Sequence, residues 1–312
     1  MIKKRDFLTL GDLSVEEWPQ VFARAAELKQ HRSQRTLAGK SVALVFEKAS
    51  TRTRVSFEVG VYELGGHAVV LTSQGSQLAR GEPIQDTARV LSGYCSIIVI
   101  RTFGQERVAQ LAKCAAVPVI NALSDQHHPC QVATDLFTVT EKFGTIEGLR
   151  YAWIGDGNNM ANSWIEAAGL FGLDLALACP DGFAPDPLLV SAARENQKRR
   201  GKGSLTLTDD PKVAAAGANV INTDVWASMG QEEEAEQRKR AFAGFCVDAG
   251  LVKRAASDAV ILHCLPAHRG EEITGDVLDG PQSLAWVQAE NRLHLGKAIL
   301  EAVVAAPASL GG

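Results

Sequence analysis

Two arginines and three hydroxyls fall within five consecutive positions, Ser50-Thr51-Arg52-Thr53-Arg54, shortly after an apolar run that ends at Phe46. Between a buried strand and a helix, such a segment gathers hydroxyls, guanidinium forks and backbone N–H groups at the positive end of a helix dipole. That is the chemistry of an anion cradle. Each charge-assisted hydrogen bond is worth roughly 1.5–3 kcal/mol, so four or five hold a small phosphate compound firmly. The blander reading makes Ser50 a helix cap and Arg52 and Arg54 surface charges, but a cap needs only one hydroxyl.

Other groups with chemical potential also sit where apolar runs end. Arg101 closes the run Ser96–Ile100, and the carboxyl ends of strands are where α/β sheets bind ligands; an ordinary surface charge is the alternative. His128-Pro129-Cys130-Gln131 opens a helical pattern and can turn an imidazole toward a carbonyl oxygen or phosphate. His127 beside it reads as a loop residue, without further ligands at metal spacing. Gly155-Asp156-Gly157-Asn158-Asn159-Met160 imitates a dinucleotide turn, with Asp181 as a ribose acid, yet Met160 occupies the third glycine position. Asn158 and Asn159 suggest polar ligand contacts instead. Asp224 offers a carboxylate for an ammonium, in a segment that ends at Gly230, or else belongs to a turn with a buried Trp226. Cys264 follows another apolar strand; it is either a buried inert thiol or a nucleophile needing a histidine, and His263 and His268 are near only in sequence. Anion donors in one half and cation-binding groups in the other suggest two substrates meeting across a cleft.

Parallel strands with crossover helices must position these groups. Continuously apolar runs predict strands at Ser41–Phe46, His67–Leu71, Ser96–Arg101 and Val117–Asn121, then at Arg150–Ile154, Asp174–Ala178, Ser204–Thr208, Asn219–Thr223 and Val260–His263. The alternation with helical patterns makes the fold class α/β, with two doubly wound parallel-sheet domains. Ser14 with Glu17 predicts a capping box ahead of a helix from Trp18, with Pro19 blurring its start. Gln131–Lys142 reads as a helix ended by Gly144, so the domain boundary falls near residue 145. Residues 1–145 form the first domain and 146–283 the second; a final helix, within about 284–312, is free to cross back to the first. The acidic run ending at Glu234 and the basic run from Arg238 to Arg240 pair Glu234 with Arg238 and Glu236 with Arg240, which predicts a solvated helical face.

Composition bounds the partners. At 312 residues and 33.4 kDa the chain suits two domains, and 46% hydrophobic against 22% charged residues excludes disorder. A net charge of −4 provides no field to draw nucleic acid or anionic lipid. Apolar runs stop well short of the ~18 residues of a membrane span. The basic start Met1–Arg5 is interrupted by Asp6, Gly11 and Asp12, where a signal peptide needs apolar continuity, so a cytoplasmic protein is expected. Six cysteines without a CxxC pair read as reduced thiols, mostly buried.

Taken together, STRTR at Ser50–Arg54, HPCQ at His128–Gln131, GDGNN at Gly155–Asn159, DVWASMGQE at Asp224–Glu232 and HCLPAHRG at His263–Gly270 closely resemble the aspartate/ornithine carbamoyltransferase family. The Ser228-Met229-Gly230 segment and HCLP point to ornithine rather than aspartate as acceptor. The resemblance implies transfer of the carbamoyl group of carbamoyl phosphate to the δ-amine of ornithine, giving citrulline and phosphate, within arginine metabolism. It implies that Ser50, Thr51, Arg52 and Thr53 hold the phosphate and that Arg101, His128 and Gln131 hold the carbamoyl group, with Pro129 and Cys130 in the same motif. Gln77 would reach the phosphate from a neighbouring subunit, which implies a trimer. Asn159, Asp224, Ser228 and Met229 would position ornithine, Cys264 and Leu265 would lie by the reacting centre, and Arg292 would complete the carbamoyl phosphate contacts. Arg101, His128 and Cys264 are the implied catalytic groups, and no metal or cofactor is required. Three alternatives stay open: a sister enzyme acting on putrescine or an acylated ornithine, an NAD-dependent oxidoreductase built on Gly155–Met160, and a silent regulatory relative.

Overall fold

A computed structural model describes residues 4–72, 81–227 and 234–304. The chain divides into two compact units, residues 1–134 with 290–312, and residues 135–289.

In the first unit, α1 (Trp18–Gln30) precedes β1 (Ser41–Phe46), α2 (Thr51–Glu63), β2 (His67–Thr72), α3 (Ile84–Tyr94), β3 (Ile97–Arg101), α4 (Gln105–Cys114) and β4 (Val119–Leu123). The four strands form a parallel sheet in the order β2-β1-β3-β4. Burial on both faces explains the unbroken apolar runs. Ala43, Val45, Ile98 and Ile100 pack with Ile84, Leu91, Val108 and Leu111 of α3 and α4, and Val42, Leu44 and Val99 on the opposite face are just as buried. Each such side chain contributes roughly 1.5–3 kcal/mol. The register pairs Phe46 with Arg101, which brings the segment after β1 and the arginine at the end of β3 to one edge of the sheet. The fourth strand starts two residues later than Val117, because Pro118 has no N–H to give to β3 and the apolar run continues to Leu123. At α1, Glu17 accepts from the Ser14 N–H at 2.9 Å, but this closes only a turn, and the helix starts at Trp18 with Pro19 in its first turn.

The helix α5 (Pro129–Phe143) runs from the first unit into the second, ending where Gly144 takes φ 74°. The compact division falls inside it, at Thr134/Asp135, about three turns before the boundary that Gly144 suggests. Its first turn bonds within the first unit, whereas Asp135 accepts from Asn222 at 3.2 Å and Gln288 at 2.5 Å.

The second unit continues with β5 (Arg150–Ile154), α6 (Asn159–Phe171), β6 (Asp174–Ala178), α7 (Pro187–Arg200), β7 (Ser204–Thr208), α8 (Pro211–Ala215) and β8 (Val220–Thr223). After these come α9 (Ala235–Ala241), α10 (Ala249–Val252), β9 (Val260–His263), α11 (Gly275–Leu278) and α12 (Ala285–Val304), whose residues from Glu290 belong to the first unit. Five parallel strands lie in the order β7-β6-β5-β8-β9. The crossing point between the two halves of this sheet sits at the ends of β5 and β8, beside Gly155 and Asp224. No helix among the described residues is long and apolar enough to cross a membrane.

Candidate active site

In the first unit, the end of β1 hands the chain to α2 through Ser50, whose side chain caps the helix by accepting from the Thr53 N–H at 3.2 Å. Thr51 and Arg52 are exposed at that N-terminus, and Arg54 turns along the helix to Glu58 at 3.3 Å. Thr53 is buried, and its hydroxyl is the meeting point: Arg101 Nη1 donates to it from 3.4 Å and Arg292 Nη2 from 3.2 Å. Arg292 also donates to the Gln131 side-chain carbonyl and lies 3.5 Å from His128 Nε2. Four separate elements therefore gather two guanidiniums, an imidazole, an amide and a hydroxyl beside one helix N-terminus. Burial, together with the Arg292 and Arg101 charges, holds His128 well below its ordinary value, so its ring is neutral near pH 7. Cys130 is buried with its thiol on the Asn121 carbonyl at 3.4 Å, and burial pushes it up to about 12. It is therefore no nucleophile, and Pro129 is simply the first helical residue, in the position where a missing N–H costs least.

A brace unmarked by the sequence reading holds this edge together. Glu47 accepts from Arg107 Nη2 at 2.6 Å and from the Thr102 hydroxyl, tying the segment after β1 to the segment after β3.

The second unit presents opposite chemistry. Asp224, buried at the end of β8, accepts from Cys264 Sγ at 2.9 Å, from the Val225 N–H at 2.8 Å and from Asn158 Nδ2 at 3.3 Å. Asn158 meanwhile caps α6 by accepting from the Met160 and Ala161 N–H groups. The sequence marks both Asn158 and Asn159, and the family resemblance picks Asn159; Asn159 is the first helical residue, half-buried, and the Asn158 side chain joins Asp224. Cys264 is half-buried, and Leu265 holds φ 58°, alone among the described non-glycine residues in taking a positive value. The buried His263 ring fixes that turn: Nδ1 accepts from the Leu265 N–H at 2.9 Å and Nε2 lies 3.0 Å from Glu272. Gln77, Ser228 and Met229 lie outside the described residues.

Asp224, His263 and Cys264 bring three donor atoms within 4.8 Å of one another, as do His268, Glu271 and Glu272. In the first set both His263 nitrogens already serve Leu265 and Glu272, so a metal ion would have to break one of those bonds. The dinucleotide reading of Gly155–Met160 meets a packing obstacle. A Cβ on Gly157 would lie 2.3 Å from Pro185 N, and the Gly157 N–H donates to the Phe183 carbonyl at 2.9 Å. That glycine answers to its own chain, not to a pyrophosphate.

Residues 5–141 match the model of the aspartate/ornithine carbamoyltransferase carbamoyl-P binding domain, and residues 147–303 match that of the Asp/Orn binding domain. The chain belongs to the aspartate/ornithine carbamoyltransferase family. Among its relatives in this family, the ornithine carbamoyltransferase of Pelobacter propionicus is 56% identical over 300 residues, 95% of this chain and 97% of that protein. That of Acidothermus cellulolyticus is 55% identical over 309 residues, 98% and 99% of the two chains. The solved ornithine carbamoyltransferase of Pyrococcus furiosus superposes with a TM-score of 0.91 at 50% identity, covering 96% of each chain.

One sequence expectation needs correction. Glu234 and Arg238 do pair at 3.1 Å, but the face they share is not solvated at Arg238, whose side chain is 8% exposed and donates to Asp156 at 2.7 Å. Spacing along the helix reveals the i,i+4 pair; it cannot reveal which member of a basic run the fold turns inward. Of the six cysteines, Cys95, Cys130 and Cys179 are buried, while Cys114, Cys246 and Cys264 are partly open.

Proposed function

We propose that the protein transfers the carbamoyl group of carbamoyl phosphate to the δ-amine of L-ornithine, releasing L-citrulline and phosphate. The convergence of Arg101 and Arg292 on Thr53, with His128 and Gln131 against Arg292, beside the first turn of α2, carries this reading. A dianionic phosphate suits exposed Arg52 and the positive end of the α2 helix dipole. As the δ-nitrogen forms its bond to the carbamoyl carbon, charge develops on the carbonyl oxygen, where Arg101, neutral His128 and Thr53 supply donors. The C–O bond to phosphate then breaks, phosphate leaves with the electron pair, and the nitrogen sheds a proton. Asp224 and Asn158 suit the α-amino and α-carboxylate groups of an amino acid, one accepting from an ammonium, the other able to donate an amide N–H. Cys264 and Leu265 lie at the reacting nitrogen in this assignment.

The amine must be neutral to attack. With a lysine-like value near 10.4 it carries a handicap of roughly 4 kcal/mol at pH 7, so turnover at saturating substrates rises toward alkaline pH. In this reading the enzyme works in the cytoplasm, in arginine metabolism, as a homotrimer whose Gln77 reaches a neighbouring subunit's phosphate. A citrulline-forming assay on the purified protein tests the core claim. Product from ornithine, and far less carbamoylation of putrescine, N-acetylornithine and aspartate, is the expected result; preference for another acceptor would overturn it.

A further inference from the structure

Arg238 of α9 is 7% exposed and holds three partners at once. Its Nη1 donates to Asp156 Oδ2 at 2.7 Å and to the Trp226 carbonyl at 2.9 Å, and its Nε donates to Glu234 Oε2 at 3.1 Å. The guanidinium also lies 4.9 Å from the centre of the Phe183 ring, in the segment packed against Gly157. These partners belong to two different turns. Asp156 follows β5 and stands two residues before Asn158; Trp226 follows β8 and stands two residues after Asp224. Asn158 and Asp224 are themselves joined by the 3.3 Å hydrogen bond between the same turns.

We propose that Arg238 is a positioning residue for the amino-acid substrate, clamping the turn after β5 to the turn after β8 so that Asn158 and Asp224 act as one recognition surface. The inference rests on the ornithine reading of those two residues. A planar fork serves a carboxylate and a carbonyl together, which the point charge of a lysine does less well. Burial raises the Asp156 carboxyl above its ordinary value while the guanidinium opposes that shift, so the clamp consists of an ion pair largely removed from water. Arg238, Asp156, Trp226 and Glu234 all belong to the second unit, and the expected effect falls on one substrate.

Steady-state kinetics on Arg238→Gln and Arg238→Lys test this. The expected result is a rise in the ornithine KM of about 10–100-fold for Arg238→Gln, as for the loss of a charge-assisted bond, with a smaller rise for Arg238→Lys. The carbamoyl phosphate KM stays within about twofold in both. A merely structural arginine gives a different pattern: kcat falls with the active fraction, the melting temperature drops, and the ornithine KM stays put. That pattern overturns the proposal. Should Arg238→Gln fail to fold, Arg238→Lys, which keeps a charge beside Asp156, decides alone. The wild-type protein separates the two claims: no turnover of ornithine condemns the substrate reading, whereas wild-type turnover with an unchanged ornithine KM in the folded variants condemns the clamp.

Discussion

The two half-sites carry opposite charge and are assembled by opposite means. In the first unit, Thr53, Arg101, His128 and Arg292 come from chain positions up to 239 residues apart, and each is fixed by a regular element or its cap. In the second, Asp224, Asn158 and Cys264 all sit on turns at the ends of the neighbouring strands β8, β5 and β9. In the proposed reaction a leaving phosphate needs several donors around one point, which distant elements supply, and an amino-acid group needs one carboxylate and one amide in register, which adjacent strand ends supply.

Substitutions that separate the substrates break or sharpen this contrast. The largest effect belongs to Arg101→Ala, which removes a donor from the carbamoyl oxygen; kcat for citrulline formation falls roughly 10²–10³-fold, with the ornithine KM little changed. Asp224→Asn comes next. It removes the charge from the second half-site, raising the ornithine KM about 10–100-fold and sparing carbamoyl phosphate. Equal shifts for both substrates in either variant would erase the division of labour.

Acid stability distinguishes the two regions differently. His128 is held below its ordinary 6.5 by burial and by Arg292 and Arg101, and His294 is lowered likewise by burial and Lys297. The unfolded chain therefore takes up protons near pH 6.5 that the folded chain refuses, so stability is full above that pH and is lost below it. Each such group costs up to about 1.4 kcal/mol per pH unit. Urea midpoints at pH 7.5 and 5.5 measure this, and His128→Gln gives a shallower acid loss than the wild type. An identical loss would mean that His128 is protonated in the folded state. The smallest effect is expected at Cys130. Its thiol donates to the Asn121 backbone carbonyl, so Cys130→Ala costs about 1 kcal/mol of stability and leaves kcat within about twofold.

Much of this was legible in residues. The strands Ser41–Phe46, Arg150–Ile154, Asp174–Ala178, Ser204–Thr208 and Val260–His263 match their expected bounds end to end; those buried on both faces leave an unbroken apolar signal, whereas the exposed edge strand Ser204–Thr208 shows alternating leucines instead. The run Val117–Asn121 misleads at its start through Pro118, where composition says strand and the missing N–H says otherwise, and at its end, where the strand goes on to Leu123. Arg101 and His128 are visible because they stand where apolar runs stop. Arg238 and Glu47 are not, and Asn158 shows only as a polar residue before a helix and not as the partner of Asp224, since these roles depend on which turn lies across the sheet edge, and that is settled by strand order. The swap that puts β8 beside β5, joining Asn158 to Asp224, leaves no local trace in either segment.

The last helix has a consequence for how the chain comes into being. Lys297 is fully buried, donating to the carbonyls of Leu28 and Arg32 and to Glu63, and Leu295 and Ile299 are equally enclosed. The first unit is thus completed by residues that follow the whole second unit in the chain, whereas residues 135–289 form their unit from one continuous stretch. Closing the first unit therefore spans the length of the second, a separation whose loop-closure entropy must be met before the last helix can dock.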